Sequence, residues 1–195
     1  MFPRTSDYLI ALFAVSAMFL ALFAGTGPSQ AATFSIIAQG HSMTLKGDIE
    51  IGDAARIDRA YRDACNKRGF CPERLFLDSN GGRALESFKI ADFVVNYGLH
   101  TVVGKTALCY SACFNIFAAG VIRVVFPSSI IGVHSISVNG GESAETLEMT
   151  RQIAKIMRDD MHVPAPIITK FLTTPPSEIA ILTWDDVQGW VQVLE

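Results

Sequence analysis

Three short stretches carry the residue types that chemistry needs, and each falls where an apolar run gives way to small or polar residues. Ser79-Asn80-Gly81-Gly82 follows the apolar run Leu75-Phe76-Leu77. Paired glycines after a strand let the backbone bend sharply and leave bare N–H groups facing a ligand, and the same pattern also serves as a plain β-to-α turn. Cys109-Tyr110-Ser111-Ala112-Cys113 sets a hydroxyl at the start of an apolar segment. Such a serine is either a helix N-cap, worth roughly 1 kcal/mol, or a nucleophile. In the second case its developing oxyanion would meet the N–H of Ala112 and the positive end of the helix dipole. Gly132-Val133-His134-Ser135 ends an apolar run on an imidazole, which is either a satisfied polar residue or a general base. His41, His100 and His162 fall in a turn, at the start of a strand and at the end of a helix, without a serine context.

The elements that must position these residues alternate between short strands and amphipathic helices. Residues 33–39 and 42–50 read as a hairpin or two successive strands around Gly40-His41. A helix over Asp53 to Lys67 carries Ala54, Ile57, Tyr61 and Ala64 on one stripe. Leu75 to Leu77 is a short buried strand, Ala84 to Tyr97 a helix stopped by Gly98, and His100 to Val103 a strand. Gly104 to Tyr110 reads as a loop running into an apolar helix, Ser111 to Ala119. Strands follow at Val121 to Phe126 and Ile130 to Ser135, then a helix from Ala144 to about Met161. The charges of that helix, Glu145, Glu148, Arg151, Lys155 and Arg158, recur every three or four residues as a solvated face, and Pro164 and Pro166 break it. Strands alternating with helices imply βαβ units and a mostly parallel sheet, an α/β fold.

The composition narrows the function classes. The chain has 195 residues, half of them hydrophobic, with 16 Lys and Arg against 19 Asp and Glu. A net charge of −3 without a basic run removes the electrostatic footprint of nucleic-acid binding. Tyr8 to Ala24 is an uncharged apolar run preceded by Arg4 and followed by small, helix-breaking residues to Ala31. This is the order of an export signal over about residues 1–31, leaving a single domain over 32–195 in a periplasmic or secreted setting. The alternative is an uncleaved anchor in the inner membrane with the domain facing the periplasm, so that membrane contact runs through the N-terminal segment only. Cys65, Cys71, Cys109 and Cys113 form an even set suited to an oxidising space. Local pairs Cys65–Cys71 and Cys109–Cys113 are preferred, but four cysteines allow three connectivities, and plain buried thiols are the alternative. A bond from Cys109 to Cys113 requires Cys109 to precede the helix, because cysteines four apart on a regular helix lie near the upper end of bridgeable distance. The spacings C-x5-C and C-x3-C, without nearby histidine, do not suit a metal.

Taken together, the Gly-Gly turn, a serine 29 residues after Gly82 and a histidine 23 residues after that serine resemble the Clp protease proteolytic subunit and signal peptide peptidase A families of the Clp/crotonase superfamily. The matching stretches are Ser79 to Gly82, Ser111 through Ala118-Ala119-Gly120, and Ile131 to His134; Cys-Tyr-Ser-Ala-Cys with a downstream Gly-Val-His looks like exported Clp-like proteins of bacteria. The resemblance spans about residues 44–190 and implies a Clp/crotonase-like spiral of ββα units. It further implies a serine peptidase with Ser111 as nucleophile, His134 as base and oxyanion donors around Gly81, Gly82 and Ala112. No cofactor is implied. Peptide or protein substrates are, and a homo-oligomer is compatible with it. Asn80 stands where the families carry proline, which leaves the two glycines as donors. An acidic third member belongs near the last βα segment, where Glu178 is the nearest match and Asp185 and Asp186 lie a little beyond. The competing function is a noncatalytic binding or assembly module that keeps the fold.

Overall fold

Leu75 and Leu77 are almost wholly buried, as are Met43 and Leu45 on the neighbouring strand, so the centre of the protein is a sheet of short apolar strands with one face fully covered and Thr44 and Phe76 half-buried on the other. The computed structural model describes residues 32–37, 41–138 and 141–194; the expected export segment over 1–31 and the end of the stretch 33–39 lie outside them. In chain order the elements are β1 (Thr33–Ile37), β2 (Ser42–Lys46), α1 (Asp53–Arg68), β3 (Arg74–Asp78), α2 (Ala84–Asn96), β4 (His100–Val103), β5 (Leu108–Tyr110) and α3 (Ala112–Ala118). They continue with β6 (Arg123–Val125), β7 (Ile130–Val133), α4 (Ala144–Asp159), α5 (Ala165–Thr173), β8 (Ala180–Ile181), α6 (Trp184–Val187) and β9 (Gln192–Val193).

Six strands form the main sheet in the order β1-β2-β3-β4-β6-β9, with every pair parallel except the β1–β2 hairpin. A second sheet, β5-β7-β8, pairs β5 with β7 in parallel and β8 antiparallel on β7. The mostly parallel α/β reading holds. Residues 104–110, expected as a loop, instead contain β5; three residues are too few for a periodic signal, and their partners on β7 lie about twenty residues away. The prolines after α4 also do more than break it. Pro164 caps α5 and Pro166 lies in its first turn, where a missing N–H costs no helical hydrogen bond.

The helices bury the stripes their sequences carry. Ile57, Tyr61 and Ala64 of α1 and Phe88, Ile90, Ala91, Phe93 and Val94 of α2 enter the core. Every residue of α3 is buried, as a helix apolar but for Asn115 requires. The charged face of α4 is exposed, with an Arg151–Glu148 ion pair at 3.0 Å. Cys65 joins Cys71, tying the end of α1 to the approach to β3, and Cys109 joins Cys113. Among the described residues no helix is long and apolar enough to cross a membrane.

Three polar groups, Glu86 and Asp186 buried and Arg123 half-buried, fasten these layers. Glu86 of α2, 3% exposed, accepts the N–H groups of Gly52 and Ala54 at 3.0 and 2.9 Å and so caps α1, which has no side-chain cap of its own. Arg123 lays its guanidinium 4.6 Å from the ring centre of Trp190 and donates to the carbonyls of Ala118 and Met161. Burial draws its pKa down to about 10, so it stays charged at neutral pH at the C-terminal end of α3, where a cation is favoured. Asp186 accepts from Lys170 Nζ of α5 and from both the N–H and the hydroxyl of Thr183. Burial pushes its carboxyl up, but these donors outweigh it and hold the group below the usual carboxylate range.

Two stability predictions follow from these caps. Glu86→Ala leaves the first N–H groups of α1 without their acceptor and should lower unfolding free energy by about 2 kcal/mol, read as a reduced urea midpoint at unchanged slope. The depressed carboxyl of Asp186 contributes stability that is present above the unfolded carboxylate pKa of about 3.9 and is lost as pH falls through the lower folded value. Asp186→Asn should therefore destabilise at neutral pH and flatten the decline of stability on acidification, measured by urea titrations between about pH 7 and pH 2.

Candidate active site

Ser111 occupies the junction of β5 and α3 with φ 54° and ψ −123°, a conformation that an L-residue holds only where its surroundings over-determine it. Those surroundings are visible. Ser79 N–H donates to the Leu108 carbonyl at 2.8 Å and Tyr110 N–H returns to the Ser79 carbonyl at 3.0 Å, pinning β5 to the exit of β3. Ser111 N–H donates to the Gly132 carbonyl of β7 at 3.0 Å, and its own carbonyl accepts from Phe114 N–H at 2.8 Å. The Cys109–Cys113 bond, buried at both sulfurs' residues, closes a ring around the turn with Ser111 at its centre. Cys109 sits in β5, ahead of the helix, as such a bond requires. The Ser111 side chain makes no capping bond to α3, which removes the N-cap as the reason for a serine here.

The two glycines approach this turn more closely than any side chain permits. A Cβ on Gly81 would lie 2.7 Å from the Tyr110 carbonyl oxygen and 2.8 Å from Cβ of Ser111; one on Gly82 would lie 2.3 Å from the Ile49 carbonyl oxygen. Both have positive φ, 104° and 137°. Ile49 N–H donates to the Gly81 carbonyl and Arg83 N–H to the Ile49 carbonyl, a parallel bridge that turns the Gly82 N–H to the opposite edge. Neither the Gly82 N–H nor the Ala112 N–H has an acceptor among the described residues. Gly81 N–H, by contrast, is taken up by Ser79 Oγ at 3.1 Å.

His134 leaves the end of β7 two residues after Gly132, whose register partner on β5 is Tyr110. The pairing therefore brings Ser111 and His134 out of adjacent parallel strands at the same end. His134 Nδ1 lies 2.6 Å from the Ser135 carbonyl oxygen. A carbonyl only accepts, so the ring donates from Nδ1, and a neutral imidazole then carries its lone pair on Nε2. No hydrogen bond joins Ser111 Oγ to His134 among the described residues.

The acidic candidates sit elsewhere in the network. Glu178 is exposed on the turn before β8, where its N–H donates to the Pro175 carbonyl, and its carboxylate makes no hydrogen bond or ion pair among the described residues. Asp186 is committed to the α6 cap, and Asp185 is exposed beside it. His41 and His100 line a cleft with Phe70 and Tyr97 at the opposite end of the strands. Ile49, Tyr110 and Ser135 take part in the site through backbone atoms, and a backbone contact leaves no mark on residue type.

The strained turn carries its own test. Ser111→Gly removes the Cβ that positive φ penalises and should stabilise the protein by about 1 kcal/mol net of the extra entropy of the unfolded chain. Ser111→Ala keeps the Cβ and should leave the thermal midpoint within a degree or two, whereas Gly81→Ala should destabilise by about 2 kcal/mol or more because its methyl meets backbone. Differential scanning calorimetry of the three variants measures all of this.

Comparison with solved structures gives the fold a place among known ones. The 1510-N membrane-bound stomatin-specific protease, in a mutant form, superposes with a TM-score of 0.57 at 20% identity over 79% of this chain and 77% of its own. The same protease in complex with a substrate peptide gives 0.58 at 19% identity over 79% and 73%. ClpP1 of Listeria monocytogenes gives 0.58 at 15% identity, covering 80% of this chain and 91% of its own. No family model and no curated protein matches the chain. The mostly parallel six-stranded sheet, the second small sheet and the neighbours it superposes on together give this chain the Clp/crotonase-like α/β fold.

Proposed function

We propose that the protein is a serine hydrolase, a peptidase of the Clp-protease-like type, acting on peptide or protein substrates in an oxidising exported compartment. The observation that carries the reading is the backbone of Ser111. A non-glycine residue held at φ 54° between β5 and α3, with no capping role for its hydroxyl, is the geometry that presents a nucleophile. Two N–H groups without acceptors, of Gly82 and Ala112, flank it as oxyanion donors. Two of the solved structures with the same fold are proteases by name, and one of them holds a substrate peptide. The two disulfides support the oxidising setting.

In this mechanism Nε2 of His134 takes the proton of Ser111 Oγ as the oxygen attacks the amide carbonyl carbon. The tetrahedral oxyanion is held by the Gly82 and Ala112 N–H groups. Its collapse breaks the C–N bond, and the leaving amine takes the proton from His134. Water then attacks the acyl-enzyme, giving one proton to His134, and release of the carboxylic acid returns that proton to Ser111. No metal or cofactor enters any step. Glu178 has no assigned step, since its carboxylate makes no bond to His134.

A noncatalytic module with the same fold is the competing reading, favoured by the lack of a Ser111–His134 hydrogen bond; in resting hydrolases that bond is often long and tightens with substrate. A fluorophosphonate probe separates the two. Wild type should be labelled at Ser111, and Ser111→Ala should not. Ser111→Ala and His134→Ala should each lower peptide hydrolysis by about a thousandfold or more with unchanged circular dichroism. Absence of labelling in folded wild type would favour the noncatalytic module.

A further inference from the structure

We infer that Ser135 and Glu142 are positioning residues for His134, and that the main-chain carbonyl of Ser135 stands where a third, acidic side chain would otherwise orient the imidazole. The inference rests on the proposed Ser111–His134 pair and goes beyond it in saying what holds the base.

A contact between a side chain and the next residue's carbonyl is only as fixed as that carbonyl. Here the carbonyl's peptide unit and the residue that bears it are held from several sides. Ser135 is 1% exposed, and its N–H donates to the Thr174 carbonyl at 2.8 Å. Its hydroxyl donates to Oε1 of Glu142 at 2.7 Å, a bond strengthened by the charge of the acceptor. The N–H at the far end of the same peptide unit, that of Ile136, donates to Thr150 Oγ1 of α4 at 3.0 Å, and Thr150 in turn donates to the Thr146 carbonyl. Glu142 reaches Ser135 because Val138 and Gly141 exchange backbone hydrogen bonds and turn the chain back on itself. The plane carrying the Ser135 carbonyl is therefore held directly by α4 through the Ile136 N–H, and the Cα from which it starts is fixed by the Thr174 turn and by Glu142. Nδ1 of His134, 2.6 Å from that oxygen, is held in one tautomer with Nε2 free to accept. Glu178, by contrast, makes no bond to the ring.

The test uses the full chain with a chromogenic peptide or ester, and ¹⁵N NMR of the labelled His134 ring. Ser135→Ala and Glu142→Ala should each lower kcat about tenfold with KM within about twofold, because they misplace the base without touching substrate. Glu142→Gln should retain most of the rate, since the amide oxygen accepts the same bond. The double variant should be no slower than the slower single one, as expected for two members of one unit. Glu178→Ala should stay within about twofold of wild type. The wild-type ring should show the Nδ1–H tautomer, and Glu142→Ala should show a mixture. An unchanged kcat and tautomer in Glu142→Ala, or a loss in Glu178→Ala instead, overturns the inference. If wild type is not labelled at Ser111 by the fluorophosphonate probe, the nucleophile reading is what fails; the ring spectrum of Glu142→Ala still decides whether Ser135 and Glu142 hold His134.

Discussion

The molecule turns on a steric constraint: at Gly81 and Gly82 the chain passes where no side chain fits. Gly81 lies against the backbone of Tyr110 and the Cβ of Ser111, and Gly82 lies against the backbone of Ile49. With any Cβ at these positions the exit of β3 would be pushed away from both neighbours. The Ile49–Gly82 bridge on one side and the Ser79–Cys109 bridge on the other would then open. The first prolongs the β2–β3 pairing, and the second stitches the small sheet to the large one. That link continues through the Ser111–Gly132 hydrogen bond into β7 and from there to β8.

A strained residue persists only if its neighbours outweigh the strain. Holding a non-glycine residue at the Ser111 geometry costs on the order of 1–3 kcal/mol. The helix that follows buries Phe114, Ile116 and Phe117 completely, and each such side chain contributes roughly 1.5–3 kcal/mol on leaving water. Straightening the turn would move that helix out of the core, so the burial term is larger than the strain it maintains. The Cys109–Cys113 bond adds a covalent limit on the same five residues. Asn115, one turn into α3, donates to Ser87 Oγ of α2 and ties the helix after the serine to the helix after the glycines.

Polar groups divide along the same lines. Glu86 and Asp186 are satisfied by donors within the fold and act as caps. The N–H groups of Gly82 and of Ala112, which have no acceptor among the described residues, lie at the C-terminal ends of β3 and β5, the end of parallel strands where open α/β sheets bind ligands.

By itself the sequence determined the element types, because burial writes periodicity into residue choice: the stripe on α1, the largely apolar α3 and the alternating strands were legible as such. It also determined which residues carried reactive groups, since the Gly-Gly turn, Ser111 and His134 stand out by type and spacing. What it left open were matters of distance between residues far apart in the chain. β5 was invisible because three residues become a strand only through partners on β7 and at Ser79. The two disulfides were one of three connectivities until Cys109 was seen to precede the helix. The N-cap reading of Ser111 fell only to the lack of a capping bond from its hydroxyl, and the acceptor beside His134 turned out to be a carbonyl, a group every residue carries and no sequence distinguishes. Tertiary structure decided these points because hydrogen bonds between main-chain atoms depend on where the chain runs and scarcely at all on which side chains it bears.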